Sequence, residues 1–153
     1  MGRLAFADGT TLLAQMKSGE RTALSIMEEY IARLEKEQVR INAAVHVFKE
    51  EALAAARHPR PGPLSGLPIS VKETIGIAGE AITAGSQRMV PQMPEEDAPV
   101  VRRLREAGAI ILARSNVPEF AMAGETENLL YGRTNNPLDA SRTCGGSSGG
   151  EGA

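Results

Sequence analysis

Thiol chemistry is nearly absent from this sequence: Cys144 is the one cysteine of the chain, so an internal disulfide is excluded. Cys144 stands among small residues without CxxC spacing, and the chain has two histidines, a set that does not fit a structural zinc site. No segment approaches the ~18 uninterrupted apolar residues of a membrane-spanning helix. The N-terminal stretch MGRLAFADGTTLLAQMKSGE also lacks the apolar run of a secretory signal. The expectation is a soluble, cytoplasmic chain with no membrane partner. Charge of one sign is missing as well. Seventeen basic residues face nineteen acidic ones for a net charge of -2, and no block of like charge could track a nucleic acid.

What remains is an ordinary globular composition, with 42% hydrophobic and 24% charged residues over 153 positions. A chain of that size can bury roughly 70% of its unfolded surface around one core. Leu24, Met27, Ile31 and Leu34 recur at three- and four-residue steps between charged positions, which predicts an amphipathic helix from Thr22, its cap, to Gln38. Residues 41–48 read as a short strand, and Ala-rich residues 50–57 as a helix. In GLPISVKETIG, from Gly66, Ile69 and Val71 alternate with Ser70 and Lys72, which predicts a strand with Ser70 and Lys72 on one face and Glu73 on the other. Asp97 and Pro99 predict a helix start, with Asp97 as cap, for a helix over about 98–107. The wholly apolar AIILA, residues 109–113, then reads as a strand covered on both faces. The fold class is therefore α/β. From Asn116 onward the chain is rich in Gly, Asn, Ser, Thr and Pro and has little periodicity, as functional loops do.

Chemistry concentrates in Gly145-Gly146-Ser147-Ser148-Gly149-Gly150. Glycine permits unusual backbone angles and close approach, so such a loop can aim several N–H groups and two hydroxyls at one point. Three readings fit the composition: a flexible linker, a phosphate cradle, or part of a hydrolase site. The cradle lacks both GxxxxGK[ST] and GxGxxG patterns. A hydrolase site needs a base, and Lys72 is the candidate. A lysine on an apolar strand is more often a solvated or paired charge. To act as a base it must be neutral, which burial away from a facing carboxylate favours.

Three segments together, GLPISVKE, then DAPVVRRLREAGAIILARSNVPEF, then TENLLYGRTNNPLDASRTCGGSSGGEGA, resemble the N-terminal portion of the amidase signature family, in the same order from roughly Thr22 to Ala153. The resemblance implies a mixed sheet covered by helices, incomplete here. Residues 1–153 would be the N-terminal portion of a single amidase domain truncated after the GGSSGG loop, with 1–21 a peripheral segment. It also implies an amide-bond hydrolase with a lysine, a serine after a cis peptide bond and a nucleophilic serine. Lys72 matches the lysine, Ser147 the serine after the cis bond, and Ser148 is the neighbouring hydroxyl. Ala121, in the segment 120–122, matches a substrate-pocket position. The implied nucleophile and oxyanion donors lie beyond Ala153, since Ser70, Ser86, Ser115, Ser141 and Cys144 lack the required context. The implied partner is a small-molecule amide, with no metal or organic cofactor, and a homodimer stays open. The GGEGA ending is nearer to the branch with fatty-acid amide hydrolase and general amidases than to the GGSSGGSA style of the glutamine-hydrolysing subunit in glutamyl-tRNA amidotransferase. The alternatives are a glutamine amidase of that amidotransferase type, with partner subunits, and a truncated binding module without catalysis.

Overall fold

Thr22 begins the longest helix in the way its sequence predicts. In a computed structural model that describes residues 7–153, its Oγ1 accepts from the Ser25 amide at 3.0 Å while Ser25 Oγ accepts from the Thr22 amide at 3.2 Å. This reciprocal cap satisfies two helix-end donors. The preceding helix α1, Gly9–Ser18, is capped by Asp8 and buries Leu12 against Ile26. Of the segment 1–21, residues 1–6 lie outside the described residues. Helix α2 spans Ala23–Ile41 and buries Ile26, Met27 and Ile31. It outruns the predicted end at Gln38 because Asn42, in the left-handed conformation, is the residue that stops it. Asn42 Nδ2 then donates to the carbonyls of Tyr131 and Arg133, so the helix end also anchors the distant C-terminal segment.

Strand β1 (Ala44–Val47), helix α3 (Lys49–Arg57), strand β2 (Pro68–Lys72), helix α4 (Pro99–Glu106) and strand β3 (Ile110–Ser115) follow. The sheet is three-stranded in the order β1-β3-β2, with β1 antiparallel and β2 parallel to β3. Every residue of the central β3 is buried. Its alternating side chains enter two cores. Ile110 and Leu112 pack with Met27, Ile31, Ala52 and Ala56 beneath α2 and α3, whereas Ile111 packs with Phe48, Val71, Ile77 and Val101 on the α4 side. Cover on both faces explains why this strand reads as an uninterrupted apolar run. It continues past the predicted Ala113 through Arg114 and Ser115, because the polar ends of these two buried side chains find hydrogen-bond partners, the Ala81 carbonyl and the Glu151 carboxylate.

The start of α4 corrects the sequence reading. Ala98, not Asp97, occupies the cap position and no side chain caps the helix. The Asp97 carboxylate instead accepts from the Ala78 amide at 2.9 Å and pairs with Arg105 at 2.9 Å. An amide in a neighbouring turn competes for it with the first amides of its own helix. Beyond β3, a 3₁₀ turn over Glu119–Ala121 and a short helix α5 (Gly149–Gly152) are the regular elements among the described residues. No helix of the described residues is long and apolar enough to cross a membrane.

Two substitutions separate local capping from packing. Thr22→Ala is expected to lower unfolding stability by about 1 kcal/mol. Met27→Ala, at a side chain with no solvent exposure, is expected to cost about 2–5 kcal/mol. Urea unfolding followed by circular dichroism checks both.

Candidate active site

Lys72 ends β2, opposite Ser115 in the parallel register with β3. Strand alternation places its side chain on the face of Ser70, away from the buried Val71 and Glu73. There Lys72 Nζ donates to Ser147 Oγ at 2.8 Å and to Ser148 Oγ at 2.9 Å. Residues 75 and 76 positions apart in sequence thus meet at one amine. Ser147 is half-buried and Ser148 is exposed. The peptide bond between Gly146 and Ser147 is cis, as the resemblance implies.

The serine loop is held by backbone contacts that tolerate no side chain. Thr126, almost fully buried, accepts from the Gly149 amide at 3.0 Å and donates to the Gly145 carbonyl at 2.9 Å. A Cβ on Gly149 would stand 2.2 Å from Thr126 Oγ1, and one on Gly150 would stand 2.4 Å from the Asn116 amide nitrogen. Both distances lie far inside van der Waals contact, so these two glycines are required by close approach. Asn116 is itself fixed in the interior: its Nδ2 donates to Thr134 Oγ1 at 3.0 Å, and its Oδ1 accepts from Asn128 at 2.9 Å. Sequence reading passed over Thr126, Asn116 and Asn128. They are single polar residues in an aperiodic stretch, and only their burial distinguishes them.

Glu73 faces the opposite way, as the alternation requires, and is completely buried. Its Oε1 accepts from the Thr83 amide at 2.7 Å and from Thr83 Oγ1 at 2.9 Å, and lies 3.7 Å from the Arg114 guanidinium. Arg114, 3% exposed, donates to the carbonyls of Ala81 and Glu73. This pair ties the 81–86 turn to the strands behind Lys72. That turn in turn carries the 3₁₀ segment, since Phe120 donates its amide to Ala84 at 2.7 Å and Ser86 Oγ donates to Glu119 at 2.7 Å. Ala121 sits in this segment with φ 54, a left-handed conformation uncommon for a residue with a Cβ. No hydrogen bond joins Ala121 to Lys72, Ser147 or Ser148 among the described residues. The link between the two loops runs through Ala123, whose carbonyl would be 2.6 Å from a Cβ on Gly146.

The other candidate hydroxyls and the thiol have partners other than the amine. Ser70 and Ser115 donate to the Glu151 carboxylate, Ser86 to Glu119, and Ser141 to Asp139, while Cys144 Sγ points to the Gly145 carbonyl. A groove of about 690 Å³, bordered by Leu34, Ile41, Ile69, Leu112, Leu138 and Glu151, opens beside α5, and neither Lys72 nor Ser147 lines it. Among the described residues no group of three or more His, Cys, Asp and Glu side chains could hold a metal ion.

A lysine at the end of a parallel strand, hydrogen-bonded to paired serines in a glycine-bounded loop, stands on a mixed α/β scaffold of three strands and covering helices. The amidase family model matches residues 25–153, and the chain belongs to that family. It is 39% identical to a glutamyl-tRNA(Gln) amidotransferase subunit of Streptomyces coelicolor, over 93% of this chain and 30% of that protein. Among solved structures it resembles 6-aminohexanoate cyclic dimer hydrolase, with TM-score 0.87, 31% identity and coverage of 94% of this chain and 30% of that one. It also resembles the peptide amidase of Stenotrophomonas maltophilia, with TM-score 0.85, 31% identity and coverage of 97% and 33%. The chain thus spans about 30% of the length of the curated relatives it matches.

Two outcomes follow for stability. Glu73→Ala leaves the Arg114 guanidinium buried beside a lost counter-charge and is expected to cost about 3–5 kcal/mol in urea unfolding. Gly149→Ala and Gly150→Ala are expected to displace the serine loop, read as faster amide hydrogen exchange over residues 145–152. Gly124→Ala, where a Cβ meets open space, is expected to leave that exchange unchanged.

Proposed function

We propose that this chain supplies the base and the proton relay of an amide C–N hydrolase, with Lys72 as base, Ser147 as relay and the nucleophilic serine in sequence beyond Ala153. The observation that carries the reading is the 2.8 Å contact between Lys72 Nζ and Ser147 Oγ in a chain of the amidase family. With the amine unprotonated, that contact accepts a proton. The nucleophile's hydroxyl passes its proton to Ser147, which passes its own to Lys72, as the nucleophile's oxygen bonds to the carboxamide carbon. Collapse of the tetrahedral adduct breaks the C–N bond, and the proton returns through Ser147 to the departing ammonia or amine. Water then attacks the acyl-enzyme by the same relay, releasing the carboxylate. Ser148, held by the same amine, and Ala121, on the adjoining segment, border the substrate carboxamide. Every proton in this scheme is carried by side chains, so it requires no cofactor.

A second reading, a glutamine amidase of the amidotransferase type with partner subunits, is favoured by the identity to the glutamyl-tRNA(Gln) amidotransferase relative. Both readings share the hydrolytic half-reaction. They part at the acceptor of the released ammonia, which is solvent in one and a partner-bound acceptor in the other.

The test compares purified 1–153 with the same chain extended through its downstream sequence, on a panel of aliphatic and aryl amides that includes glutamine. The extended chain is expected to turn over amides, and Lys72→Ala or Ser147→Ala to reduce kcat about 100- to 10,000-fold. The 1–153 chain is expected to show no turnover above background, since loss of one oxyanion donor alone removes about 100- to 1,000-fold. Turnover that survives both substitutions overturns the relay. Binding of amides without turnover by the extended chain would identify a non-catalytic module instead.

A further inference from the structure

Beside the lysine and the serines stands a carboxylate that the proposed relay does not use. Glu151 lies four positions after Ser147, in α5, and its side chain crosses to the sheet. Its Oε1 accepts from Ser115 Oγ at 2.7 Å, and its Oε2 accepts from Ser70 Oγ. Ser70 precedes Lys72 by two positions on β2 and shares its face, and Ser115 is the register partner of Lys72 on β3. One carboxylate therefore spans the two strands at the position from which Lys72 projects, with each oxygen held by a different strand. Among the described residues, Glu151 is the one side chain of 144–153 other than Ser147 and Ser148 that bonds to β2.

The remaining anchors of the loop act elsewhere. Thr126 and Asn116 hold its glycine backbone, through the Gly149 amide at 3.0 Å and the Gly150 amide at 3.3 Å. Both amides belong to the first turn of α5, so these anchors hold the backbone at its start, and Glu151 adds the side-chain contact that joins α5 to β2 and β3. A carboxylate with both oxygens engaged by hydroxyls from adjacent strands has little rotational freedom, and the helix that carries it begins two positions after Ser147. We infer that Glu151 is a positioning residue, which orients the Ser147 and Ser148 hydroxyls onto Lys72 by clamping α5 across the ends of β2 and β3. This rests on the relay reading for its functional meaning but not for its geometry. Glutamine at the same place can still join both strands, its oxygen accepting from one hydroxyl and its amide donating to the other. The clamp therefore requires shape and hydrogen bonding rather than negative charge.

The experiment measures the acylation rate of Lys72 by acetic anhydride in the folded 1–153 chain, by peptide mass spectrometry, with Lys17 and Lys36 as internal references. Glu151→Ala is expected to raise the Lys72 rate about fivefold, the scale of one lost hydrogen bond, with the reference lysines unchanged. Glu151→Gln is expected to stay near the parent rate, and Ser70→Ala with Ser115→Ala to reproduce the alanine effect if Glu151→Ala does not fold. The control is Ser147→Ala with Ser148→Ala, which removes the partners of Lys72 directly. If the control raises the rate and neither Glu151→Ala nor the paired strand-serine variant does, Glu151 does not position the loop and the inference is overturned while the relay contact stands. If the control also leaves the rate unchanged, the contact does not exist in solution and both readings fall. A rate raised equally by Glu151→Gln and Glu151→Ala overturns the positional role in favour of a charge effect.

Discussion

One buried carboxylate organises the region behind the site. Glu73 follows Lys72 directly, yet strand alternation turns it inward, where it has no solvent exposure. An ionised group there must be compensated. Its partners are Arg114 from the central strand and the amide and hydroxyl of Thr83 from the following turn. These contacts to Oε1 bring the 81–86 turn against β3, and the turn then holds the 3₁₀ segment through Ala84 and Ser86. Removing Glu73 would leave Arg114 with Glu80, at 3.9 Å, as its counter-charge, and removing Arg114 would leave Glu73 with Thr83. The same arrangement leaves the Lys72 amine unpaired with its sequence neighbour: Glu73 serves Arg114, Glu151 serves two hydroxyls, and the lysine meets serines.

The front of the site depends on a different constraint, the absence of side chains. Gly149 and Gly150 lie where a Cβ would overlap Thr126 and Asn116. The backbone can then approach β3 and the interior closely enough for two successive hydroxyls to reach one amine. Rigid elements supply the lysine and a loop supplies the serines, and the precision of the contact comes from the buried polar residues that grip the loop from behind. Asn116, Asn128, Thr126 and Thr134 are each buried and each bonded. Their hydrogen bonds replace those that a regular element would have made over this irregular stretch.

Membership in the amidase family and the structural likeness to 6-aminohexanoate cyclic dimer hydrolase and a peptide amidase agree on amide chemistry at the level of the family. The likeness covers nearly all of this chain and about a third of theirs. Within that part the chain places a lysine, two serines and the buried polar residues that hold their loop.

Much of the fold was legible in the residues because it rests on periodicity. The 3.6-residue apolar pattern of α2, the alternation in β2 and the continuous apolar run of β3 each reflect which faces are covered, and each appears where the pattern places it. Linked motifs singled out Lys72, Ser147, Ser148 and Ala121, of which the first three meet by hydrogen bonds while Ala121 stands outside them, and the glycine pairs pointed to close approach. What the residues left open was decided by partners distant in sequence. Asp97 does not cap its helix, and its two oxygens are engaged by the Ala78 amide and Arg105. Thr126 and Asn116 matter because the loop folds onto them, and Glu151 reaches Ser70 across 81 positions of chain. Local sequence sets the conformational preference of a segment, but a hydrogen bond between side chains so far apart exists only after the sheet and its helices have closed around their common core.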